Sequence, residues 1–147
     1  MRPWLTLLLL VHTMGLAACG KGSDSADAEP LPAGGPSSGA TAGGSFNLEY
    51  TTDPSPIPLS EPFTMRTQVS DRDGRWLDDV TVVINAEMPA HGHGMNTSTS
   101  TTFDVDGWYD TEGMLFHMPG DWQIVIDVAS EDTVETARLA YRCCATE

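Results

Sequence analysis

Apolar and polar residues alternate along the second two-thirds of this chain, and no stretch there repeats at the helical period. Phe46-Asn47-Leu48-Glu49-Tyr50 alternates as a half-buried strand should. Phe63, Met65 and Val69 mark a second alternating segment, and Val80 to Ala86 is a β-branched run suited to a central strand. Gln123 to Ala129 sets Ile124, Ile126 and Val128 on one face, and Thr133 to Tyr141 alternates more weakly, as an edge does. Turn-forming groups separate these runs: Asp53-Pro54-Ser55-Pro56, Asp71-Arg72-Asp73-Gly74, Asp104-Val105-Asp106-Gly107, Pro119-Gly120-Asp121 and Ser130-Glu131-Asp132. The spacing predicts an all-β domain, a small antiparallel β-sandwich of about seven strands, immunoglobulin-like in architecture only.

Asp71-x-Asp73-Gly74 has the flavour of a calcium loop. However, an EF-hand glycine stands sixth, with further oxygen ligands after it. Here the glycine is fourth and Trp76-Leu77 follow, so a hairpin turn is expected.

The first residues follow a different pattern. Arg2 precedes a short apolar run, Leu5 to Val11, and Leu16-Ala17-Ala18-Cys19 comes soon after. This is the layout of a secretory signal peptide, too short to span a bilayer. Leu-Ala-Ala-Cys resembles the lipobox of bacterial lipoproteins, which implies cleavage after residue 18 and a lipid on Cys19. Residues 20–45 hold 20 Gly, Ser, Ala or Pro in 26 positions. With so little apolar surface they are expected to form a disordered tether running from Cys19 to residue 45, with a reach of ~25–30 Å. The domain is expected over 46–142, and 143–147 as a tail. The expected location is the periplasm or the cell surface, on a lipid anchor in the inner or outer membrane.

Charge narrows the partners. Seven Lys or Arg face 21 Asp or Glu, a formal net charge of −14. Such a surface disfavours nucleic acid and anionic lipid, and draws cations. Besides Cys19 there are only the neighbours Cys143 and Cys144. They could form a vicinal disulfide, bridge to another molecule or stay reduced, and an incidental tail is the expected reading.

The candidate chemistry is concentrated. Residues 88–95 read Met-Pro-Ala-His-Gly-His-Gly-Met, and Phe116-His117-Met118-Pro119-Gly120 follows. All three histidines after Cys19 lie in these two stretches. Of the five methionines after Cys19, Met88, Met95, Met114 and Met118 fall in the same span, leaving only Met65 outside it. His91 and His93 project to one side of an extended segment, with Gly92 and Gly94 lending freedom. His117 could supply a third ligand if its strand end lies beside this loop. Imidazole suits copper, zinc and nickel, and thioether selects copper(I). The expected metal site is therefore His91, His93, Met95 and His117 with Met88 or Met118, and copper is the first choice of cofactor. The alternative is an exposed histidine turn, with Met88, Met114 and Met118 packing the sandwich end. No histidine is placed as base to a nucleophile, and Thr97 to Thr102 reads as an exposed edge strand or loop, so no enzyme is expected.

Val82 to Met95, Gly107-Trp108-Tyr109, Met118-Pro119-Gly120-Asp121-Trp122 and the alternation through Val128 resemble the YtkA-like and FixH-like domains. Met88, His91, His93 and Met95 match that family's loop, and Met118 matches its later turn. His117 is not part of the resemblance. The resemblance implies a β-sandwich accessory module linked with copper handling or cytochrome oxidase biogenesis. The partner would then be a copper donor or acceptor protein. A structural or protein-interaction sandwich without metal is the competing reading. Replacing Cys19 by Ala should abolish lipid labelling and membrane retention while leaving the domain folded. Unchanged membrane fractionation of the variant would remove the lipoprotein expectation.

Overall fold

The computed structural model describes residues 37–144, so the segments expected to be signal peptide and lipidated Cys19, and the expected tether up to residue 36, lie outside the described residues. Nine strands follow in chain order: β1 (Ser37–Ala40), β2 (Asn47–Asp53), β3 (Pro62–Ser70), β4 (Thr81–Met88), β5 (His93–Gly94), β6 (Ser100–Phe103), β7 (Tyr109–Leu115), β8 (Gly120–Ala129) and β9 (Val134–Cys143). They form two antiparallel sheets, one ordered β1-β2-β3-β7-β6 and the other β5-β4-β8-β9. The expected β-sandwich is thus present.

Alternation decides which side chains lie between the sheets. Leu48 and Tyr50 of β2, Met65 and Val69 of β3, Val82 and Ile84 of β4, and Ile124, Ile126 and Val128 of β8 are all buried. Within the second sheet, Ile84 stands opposite Ile126 and Val82 opposite Val128, so the β-branched runs pair in register. The apolar area removed from water by these rows is the main favourable term in folding.

In β7 the alternation changes phase. Tyr109 and Thr111 are buried, and then Met114 and Phe116, so the inward positions switch from odd to even numbers. The pairing with β3 slips at the same place, between Phe63 and Met65. Gly113 supplies the extra residue with φ of +81°. A Cβ there would meet the Ser98 carbonyl oxygen, so this β-bulge requires glycine. It turns Phe116 into the core and carries His117 to the rim.

Three boundaries differ from expectation. β1 lies inside the segment read as tether, paired with β2 from Ser37↔Tyr50 to Ala40↔Asn47. Ser-Ser-Gly-Ala has no apolar alternation, and backbone hydrogen bonding to β2 makes it a strand. β5 is a two-residue strand within the histidine loop. β9 runs through Cys143, which is 2% exposed, so the expected tail begins within a core strand. Both Asp-x-Asp-Gly segments are tight turns. Asp71 accepts from the amides of Asp73 and Arg75, and Asp104 accepts from those of Asp106 and Trp108. These bonds, Arg75 N–H foremost for Asp71 and Trp108 N–H foremost for Asp104, hold both carboxyls below the usual range.

The link from β1 to β2 is fastened to the opposite sheet. Glu135 of β9 accepts from the hydroxyl of buried Thr41 and from the Ser45 amide, and the Ala42 amide donates to the Thr136 carbonyl. Hydrogen bonding from Ser45 and then Thr41 lowers the Glu135 carboxyl from 4.5 to about 2. A depressed native value stabilises the fold above the unfolded value, and that contribution is lost as pH falls through the folded one. Thermal melts should therefore decline as pH is lowered from 4.5 towards 2. In Glu135→Gln the melting temperature at neutral pH should be lower and its dependence across this window flatter. An identical pH profile in the variant would show that Glu135 does not set the acid sensitivity.

Candidate metal centre

The site lies at the end of the sandwich where β4, β7 and β8 meet. β4 stops at Met88, whose carbonyl accepts from the amides of His91 and Gly92, both at 3.0 Å. This turn reverses the chain, and His93 comes to stand opposite Met88 in β5. The Met95 amide then donates to the Ala86 carbonyl at 3.0 Å. His91 and His93 are thus held by a turn and a short strand rather than by one extended segment. Their rings nonetheless lie with centroids 5.7 Å apart.

His117 arrives from the other sheet. Phe116 stacks on Trp122 with ring centroids 4.5 Å apart and planes 7° from parallel, and it packs edge-on against Phe63 at 5.1 Å. Ser60 adds two bonds, its amide to the Phe116 carbonyl and its hydroxyl to the His117 carbonyl. The Trp122 indole N–H donates to the Met118 carbonyl at 2.9 Å and closes the β7–β8 connection. His117 is thereby placed with its ring 5.3 Å from that of His93 and 5.4 Å from Trp122.

Three imidazoles from two sheets therefore meet in one row, with His93 in the middle. Two imidazoles on one ion, each about 2 Å from the metal, hold their ring centroids about 4.5–5.5 Å apart. The His93–His117 spacing falls inside that range and the His91–His93 spacing just beyond it. Among the described residues, no three His, Cys, Asp or Glu side chains are already gathered closely enough to hold a metal ion. His93 Nδ1 lies 3.1 Å from the Gly94 carbonyl. A proton on Nδ1 donated there leaves Nε2 free as a donor atom, the orienting bond that ligating histidines use. His117 Nδ1 is buried and makes no hydrogen bond, one of two such side-chain atoms among the described residues, with Thr67 Oγ1. Such a nitrogen costs about 1–3 kcal/mol, which a bound cation would relieve. On that observation the residues fit a metal ion.

The methionines divide. Met95 is half-buried, and its Sδ accepts from the Leu115 amide at 3.4 Å, which ties the histidine loop to the end of β7. Met118 is partly buried against the core. Met88 is 1% exposed and belongs to the core, as the packing alternative expected, and a Cβ on Gly120 would lie 2.9 Å from its methyl group. Met114 is wholly buried. Nearby carboxylates are engaged elsewhere, Glu87 with Arg138 and Asp121 with Arg142, each at 2.8 Å. The donor set at this end is therefore imidazole nitrogen with thioether sulfur. Sequence reasoning had used Trp122 only as a motif residue. Its role as the wall beneath both imidazoles could have been suspected from its place three residues after Pro119.

An all-β sandwich with histidines and methionines gathered at one end is the class that fold and site define. The YtkA-like family model matches residues 43–127, and the chain belongs to that family. No curated protein matches the chain. Among solved structures, FetP of uropathogenic Escherichia coli, produced in the periplasm, is similar with a TM-score of 0.48 and 12% identity, covering 79% of this chain and 97% of that one. A copper-bound variant of FetP is similar with a TM-score of 0.48 and 10% identity, covering 79% and 93%.

Gly120 has φ of +132°, and a Cβ added there would crowd the Met88 methyl group. Gly120→Ala should therefore destabilise the domain by about 1–3 kcal/mol in urea unfolding. Wild-type stability in this variant would mean that the turn carries no such constraint.

Proposed function

We propose that this protein is an exported, lipid-anchored accessory protein that holds a copper ion at the histidine end of its sandwich and catalyses no reaction. The observation that carries the reading is the buried, unpartnered His117 Nδ1 beside His93, reached from the opposite sheet. His93 and His117 would hold the ion. His91, exposed on its turn, would close in as the third imidazole. Met95, and Met118 at the same end, would supply thioether sulfur, which favours copper(I) over zinc or nickel. The acidic surface would add a weak attraction for any cation. Cys19 and the tether would keep the domain near a membrane, where a donor or acceptor protein could exchange the ion.

In a copper(I) competition titration with the Cys143–Cys144 disulfide intact, the wild-type chain should bind one ion, and His91→Ala/His93→Ala should lose at least about tenfold in affinity, the equivalent of ~1.4 kcal/mol. His117→Ala should show a comparable loss. Protons compete for the same nitrogens, so binding should weaken towards acid. Equal affinity in wild type and variants would leave a protein-interaction module as the function.

A further inference from the structure

Cys143 and Cys144 form a disulfide between adjacent residues. A disulfide ordinarily stabilises a protein by closing a loop in the unfolded chain, and the effect grows with loop length. A bridge between neighbours closes almost nothing, so stability does not account for this one. Its position is equally informative. Cys143 is 2% exposed and stands opposite Gly120, three residues beyond His117. Cys144 is half-buried, and its backbone has φ of +64°, a region that non-glycine residues rarely adopt. Two residues before the pair, the Tyr141 hydroxyl accepts from the Ile57 amide. The segment continues to Ser60, which bonds the Phe116 and His117 carbonyls. The sulfur pair thus belongs to the same end of the sandwich as the imidazoles, under the loop that braces His117.

We infer that Cys143–Cys144 is a reducible site whose dithiol form binds a soft monovalent cation, separately from the histidines. The reductant is a dithiol. Its thiolate attacks the more accessible sulfur, that of Cys144, and the S–S bond breaks with the Cys143 thiolate leaving. The second donor thiol then displaces Cys144, so the donor becomes a disulfide and its two electrons and two protons pass to the cysteines. A copper(I) or silver(I) ion binds the two sulfurs and releases two protons to solvent, because the thiolate is the ligand. Oxidation by the reverse exchange expels the ion. Reduction also frees Cys144 from its left-handed backbone.

The test uses the full chain carrying Cys19→Ala with His91→Ala/His93→Ala, so that only these two thiols remain and the histidine site is removed. Thiol titration should count none before treatment with dithiothreitol and two after it. Once the reductant is removed, copper(I) competition should show one ion bound by the reduced chain and none by the oxidised chain. Adding Cys144→Ser should abolish that ion, with circular dichroism confirming the fold. Cys144 is preferred because Cys143→Ser would place a hydroxyl in the core. Equal copper(I) binding by reduced and oxidised chains, or an ion retained in Cys144→Ser, would overturn the proposal. Neither result bears on the histidine site.

Discussion

The stacked pair Phe116 and Trp122 is the contact on which the histidine end of this domain depends. Phe116 closes the five-stranded sheet's last long strand, and Trp122 lies in the neighbouring sheet. Both are almost wholly buried. Offset aromatic contact adds about 0.5–1.5 kcal/mol beyond the area it buries. Its larger consequence is geometric. The four residues from Phe116 to Pro119 must cross between sheets with a packed ring at the start and another soon after. The Trp122 indole bond to Met118 then removes what freedom the crossing had left.

His117 is therefore positioned by its neighbours rather than by contacts of its own. The bulge at Gly113 sets the phase so that Phe116 points inward, and the next residue reaches the rim. Without the bulge, an uninterrupted alternation would have turned His117 inward and Phe116 outward, since a slip of one residue exchanges the two faces. On the other sheet, the turn after Met88 returns His93 along the strand it has just left. The two sheets each deliver imidazole to the same end, and Met95 connects the deliveries through the Leu115 amide.

Charge around this end has been arranged by pairing. Arg138 and Arg142 of β9 occupy Glu87 and Asp121, exposed pairs that add little to stability. Their effect on chemistry is greater than on folding, because they leave imidazole nitrogen and thioether sulfur as the donor atoms not held in ion pairs. A chain with three times as many acids as bases thus gathers imidazole and thioether side chains at this end, with its nearby carboxylates held in ion pairs.

Period-two alternation in the sequence was enough to determine the all-β class, the two-sheet arrangement and the central strands, because each buried face needs every second residue apolar. The clustering of His91, His93, His117 and the methionines was equally legible, being a matter of composition along the chain. Three things were decided only by tertiary structure. β1 carries no apolar signal, since its stability comes from backbone bonds to β2 and from Thr41 meeting Glu135 across 94 positions. The bulge at Gly113 is a non-local event, visible only where β3 and β7 are paired. Which methionines fill the core and which face the site depends on the space opposite each, and for Met88 that space is the missing side chain of Gly120. Alternation is written residue by residue along the chain, whereas register, crossing and fit exist only between segments distant in it.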